Sequence, residues 1–154
     1  MKSLLRLALV AAVLNLTLIS SAGAQSGQAT GACGWIPLSG VKAHFGGFAD
    51  VTDNGMPTGY LIYKDPRPGF GLKLRSNLIT SVTNVGCLTT MTGSGHLNLE
   101  TGPFGPVTFI VRMQDNGEPG RGVDTFEIDI PEFGYSASGV LGGGEIDRDG
   151  LTCP

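Results

Sequence analysis

Three carboxylates near the end of the chain are spaced as an oxygen-rich cation loop would space them. Glu145, Asp147 and Asp149 alternate with other residues and Gly150 follows, which is how a calcium loop opens, although no closing glutamate comes after. A second oxygen-rich stretch, Asp115-Asn116-Gly117-Glu118, has Asp124 shortly behind it. The residues able to offer oxygens to calcium are therefore Asp115, Glu118, Asp124, Asp147 and Asp149. A blander reading covers the same residues, because Asp and Asn make turns and acidic side chains keep a protein in solution. Asp53-Asn54-Gly55-x-Pro57 repeats the Asp115-Asn116-Gly117-x-Pro119 pattern, as recurring turn chemistry would. No other cofactor is implied.

Catalytic constellations are thin. His44 and His96 are the only histidines, and neither has a carboxylate or cysteine at the spacing a zinc site uses. No Gly-x-Ser-x-Gly elbow and no His-Glu-x-x-His pair occurs. Gly93-Ser94-Gly95 lies mid-strand, where a bulge or close backbone approach accounts for the glycines. Acid pairs for glycoside hydrolysis could be drawn from Asp115, Glu118 and Asp124. Trp35 and Phe104 could stack on a sugar ring, or plug an open end of the fold.

Cysteine supplies the remaining chemistry. In an exported chain, Cys33, Cys87 and Cys153 suggest one bridge and one leftover thiol. Cys33–Cys153 is the favoured pairing, tying together two segments outside the strands, with Cys87 free or an alternative partner for Cys33.

These residues must be positioned by strands. Apolar residues recur with a period of two in about eight segments, the signature of half-buried antiparallel strands. The segments are 41–51, 58–64, 70–75, 78–85, 87–100, 106–114, 124–130 and 135–141. Phe109, Val111 and Met113 share one face, as do Phe126, Ile128 and Ile130. The connections are Gly-, Pro- and Asn-rich turns. The expected fold is all-β, an antiparallel β-sandwich of about eight strands, with a flattened up-and-down β-barrel as the alternative. If eight strands alternate in direction, all three cysteines gather at one end. Asp65, Asp115, Glu118, Asp124 and the tail acids join them there, and Asp50 and Asp53 fall at the other end.

Address and charge bound the function. Residues 1–24 read as a signal peptide: Lys2 and Arg6, an apolar run from Leu7 to Ile19, then Ala22-Gly23-Ala24. Residues 25–32 read as a flexible lead-in and 33–154 as a single β domain. No membrane span is expected once the signal is removed. Without Lys2 and Arg6, 8 basic residues face 13 acidic ones, a net charge of −5. That balance argues against nucleic acid or an anionic membrane as partner.

GACGWIP, VKAHFGGFADV, PTGYLIY, LKLRS, TTMTGSGHLN, VTFIVRMQDNGEPGRGVDTFEI and GYSASGVLGGGEI follow one another across nearly all of Gly31–Ile146. Together they resemble the β-rich module of the "post-COAP" type found in secreted bacterial proteins. The resemblance implies an extracellular module with no assigned activity and no catalytic residues. The final Asp-Arg-Asp-Gly-Leu-Thr-Cys-Pro departs from it. The expected function is thus binding, adhesion or structure outside the cell or in the periplasm, toward a cell-surface glycan or protein. The alternative is a small secreted hydrolase using the acidic loop carboxylates.

Overall fold

Every strand-forming segment joins one curled antiparallel sheet. The computed structural model describes residues 28–150 and Cys153, so the expected signal segment lies outside the described residues. Among the described residues nine strands occur: β1 (Thr30–Leu38), β2 (Val41–Val51), β3 (Pro57–Asp65), β4 (Leu72–Val85), β5 (Leu88–Leu99), β6 (Gly102–Gln114), β7 (Thr125–Ile130), β8 (Tyr135–Val140) and β9 (Gly143–Arg148). Their order in the sheet is β8-β7-β6-β5-β4-β3-β2-β1-β9. The all-β antiparallel expectation holds, and the sequential order is that of an up-and-down meander. A 3-10 turn over Pro131–Phe133 is the only helical piece among the described residues.

The period of two does the positioning. In β2, Ala43, Phe45, Ala49 and Val51 are buried while Lys42, His44 and Phe48 are exposed. Phe109, Val111 and Met113 of β6 and Phe126, Ile128 and Ile130 of β7 all join the core. Phe45 and Phe126 stack inside it with ring centroids 3.9 Å apart, so side chains fill the space the curled sheet encloses.

Three local features differ from the expected strands. The segments 70–75 and 78–85 are one strand, β4, kept continuous by irregularities between Ser76 and Leu78 and between Ile79 and Ser81. A bulge adds a residue without ending the ladder, so the periodicity breaks while the strand does not. Opposite those bulges lie Gly93 and Gly95, and a Cβ on Gly93 would come within 2.6 Å of Phe109 Cζ, the close approach expected there. The other two differences are β1 and β9. Thr30, inside the segment read as lead-in, already pairs with Ala49 and Arg148, and the tail Gly143–Arg148 pairs with β1.

β8 and β9 run in the same direction, separated by Leu141 and Gly142. β8 pairs with β7 and β9 with β1, so one bent length of chain lines both sides of the seam. Gly142 donates its N–H to Trp35 O at 2.9 Å. On the β9 side the Asp124 carboxylate accepts the Ile146 N–H at 2.9 Å, and Leu141 donates to Asp124 O.

Candidate functional site

Fusing two expected strands into β4 reverses the direction of everything after it, which redistributes the polar residues between the two ends. One end carries the start of β1, the 52–56 loop, the Gly86-Cys87 turn, the 115–124 loop and Cys153. The other carries Asp65, the 66–71 loop, the Pro131–Phe133 turn and Tyr135. Asp65 is therefore opposite Asp115 and Asp124, while Asp53 shares their end, the reverse of the sequence expectation.

The bridge is Cys87–Cys153, with Cα atoms 5.9 Å apart, and not Cys33–Cys153. Cys33 lies within β1 on its outward parity, opposite Gly46 and Glu145, as an exposed free thiol. The expectation failed because Cys33 was read as preceding the first strand, where it would be free to reach an end. Cys87 is in the β4–β5 turn.

The five candidate calcium ligands do not converge. Asp124 is fully buried, and its two oxygens accept the backbone N–H groups of Asn116 at 2.8 Å and Ile146 at 2.9 Å. Asp115 accepts the Gly117 N–H at 3.0 Å. Asp147 and Asp149 are exposed. No group of three or more His, Cys, Asp or Glu side chains able to hold a metal occurs among the described residues. Glu118 instead meets Glu145, and hydrogen bonding to that carboxyl, with the negative charges of Glu145, Asp115 and Asp124 adding to it, raises Glu118 from 4.5 to about 7. Nearby, Arg148 is buried with Nη2 donating to Gln28 Oε1 at 2.6 Å. Its Nε and Nη1 have no partner among the described residues, and burial lowers its pKa from the usual guanidinium value.

The opposite end is closed by a hydrogen-bonded aromatic group. Asp65 is fully buried and takes Arg67 at 2.6 Å and the Tyr135 hydroxyl at 3.0 Å. A phenol has one proton to give, so Tyr63, 2.6 Å from Tyr135 Oη, donates to it. Phe70 stacks on Tyr135, and Phe104 meets Phe133 edge-on at 4.7 Å. Phe104 nevertheless stays 46% exposed, resting on the rim of this end and not filling it. Trp35 does not fill it either, because it lies on the outside under the Lys42 ammonium, 4.4 Å from the ring centre.

The outer face of β2–β5 was missed. Register places His44 beside Lys64, Lys64 beside Lys73 and Lys73 beside Asn98. One row along, Gly46, Ile62, Arg75 and His96 follow each other across the same four strands. All these except Gly46 are exposed. Ion pairs among the described residues join Arg67 to Asp65 and Arg112 to Glu127 and Asp129, and none engages Lys64, Lys73 or Arg75. An open hollow of about 350 Å³ lies between His44, Gly46, Ile62 and Lys64. A second, about 290 Å³, is lined by Lys64, Lys73, Asn98 and Glu100. Chain-wide charge gave no sign of this face, since the acids lie mostly elsewhere; outward parity on four paired strands was the available signal. No family model, curated protein or solved structure matches this chain.

Proposed function

We propose that this protein is an exported binding module that holds a partner outside the cell on the outer face of β2–β5. The observation that carries the reading is the row His44, Lys64, Lys73 beside Ile62, Arg75 and His96, exposed and without carboxylate partners among the described residues. Unpaired cations on adjacent strands repel one another, a cost that an anionic or hydrogen-bond-accepting partner removes. Export is supported by the signal-like residues 1–24 and by the Cys87–Cys153 bridge, which persists in oxidising surroundings.

The test is retention of the purified protein on isolated cell envelopes at low salt, beside a variant carrying Lys64→Glu and Lys73→Glu. The wild type is expected to be retained and the variant released. Equal retention of the two would remove this face from the function.

A second reading, a small secreted hydrolase, is favoured by one observation: Glu118, raised to about 7, offers a protonated carboxyl beside Glu145 near neutral pH. Turnover of a glycan or peptide that is lost in Glu118→Gln and Glu145→Gln would establish it in place of the binding reading.

A further inference from the structure

Resting on the binding reading above, we infer that the partner is a linear carboxylated polysaccharide lying across β2–β5, its acidic groups on Lys64, Lys73 and Arg75 and its sugar rings in the two hollows that Lys64 separates.

The shape of the charged area selects a thin chain. Four strands at about 4.8 Å spacing make a stripe about 15 Å wide. Beyond it the sign changes, since Glu145 of β9 lies opposite Cys33, which lies opposite Gly46. Asp147, one turn of the pleat further, is exposed as well. A flat anionic bilayer or a duplex would press against those carboxylates too, whereas a single polymer strand can stay on the stripe. Lys64 and Lys73 stand on adjacent strands, about 4.8 Å apart and close to the length of one sugar unit, with His44 before them and Asn98 after them in the row, so a polymer crossing the strands meets a hydrogen-bonding group at each step.

The stripe also has the mixed character that sugar rings need. Ile62 is 49% exposed between Gly46 and Arg75. Phe48 and Tyr60, edge to face at 5.2 Å, form the next row, at 39% and 47% exposure. Apolar surface there can cover a ring face while Lys, His and Asn98 donate to its acidic and hydroxyl groups. Gly46 makes the first hollow, because a Cβ built on it meets nothing within 4 Å.

That open position supplies a test independent of folding. Gly46→Val adds a side chain into empty space at a strand position that favours β-branching, so the melting temperature should hold or rise while the hollow is filled. The probes are polygalacturonate, neutral dextran, a single-stranded oligonucleotide and phosphatidylglycerol vesicles, followed by titration calorimetry. Polygalacturonate should bind best and weaken as salt rises. Lys64→Gln with Lys73→Gln should weaken it roughly fivefold to tenfold, and Gly46→Val by roughly tenfold. Glu100→Gln, removing the carboxylate that lines the second hollow, should tighten it. Dextran, oligonucleotide or vesicles binding as well as polygalacturonate overturns the inference. So does polygalacturonate binding that none of these variants alters. In either case a protein still retained on envelopes keeps the binding reading, whereas no retention there and no binding to any probe ends both.

Discussion

Phe45 of β2 and Phe126 of β7 stack face to face, 3.9 Å between centroids and 7° from parallel, although four strands separate β2 from β7 in the sheet. Tyr63 continues the stack at 5.9 Å. This contact joins opposite walls of the curled sheet, so it reports closure of the whole molecule. Phe126→Ala leaves a cavity where the two walls meet and should cost about 3–5 kcal/mol in denaturant unfolding. A loss under about 1 kcal/mol would mean that the walls do not meet through this ring.

Tyr135→Phe should cost about 1–3 kcal/mol, because Tyr63 loses its acceptor and buried Asp65 loses one of its donors. The pair also sets an alkaline limit. Burial, with the Asp65 charge adding to it, pushes Tyr63 from 10.0 up to about 12, and burial with hydrogen bonding raises Tyr135 as well. The folded state therefore holds these protons more tightly than the unfolded chain. The stability they contribute is complete below pH 10.0 and falls as pH climbs toward about 12. Ultraviolet phenolate titration alongside circular dichroism checks it; ionisation of all tyrosines near 10 in the folded protein would contradict it.

One thiol should react with a disulfide exchange reagent without denaturant, and Cys33→Ser should abolish that reaction with no change in melting temperature, since Cys33 faces outward. Cys87→Ser should cost about 2–4 kcal/mol through release of a 66-residue separation. Peptide mapping that found Cys33 in a bridge would reverse both expectations.

Glu118 has the raised pKa of a carboxyl that folding keeps protonated. Its contribution is fully present below its usual 4.5 and disappears as pH rises through about 7. Glu118→Gln should flatten that portion of the stability profile, and equilibrium unfolding at several pH values between 4.5 and 7 measures it. An unchanged slope would show that Glu145 does not act on Glu118.

What the sequence disclosed followed from the period of two. The inward rows of β6 and β7 were readable because each depends only on neighbours along one strand. β4 was split because Asn77 and Thr80 shift the parity at bulges, and that one error carried into the placement of every later loop. β9 was hidden by Gly142-Gly143-Gly144, which has no side chains to alternate, and β1 by the short Ala32 and Gly34. The Cys87–Cys153 bridge and the cationic stripe both depend on which strands lie side by side, and no single segment carries that information. Asp124 looked like a ligand by type; its oxygens belong to backbone amides.

Asp124 occupies the place where another strand would otherwise add to β9. A single carboxylate oxygen takes up the Ile146 amide, so the rim of the sheet offers an incoming chain one less donor to pair with. Loosening that latch would give the molecule a sticky margin, so that damage there should appear first as self-adhesion between copies and only later as unfolding.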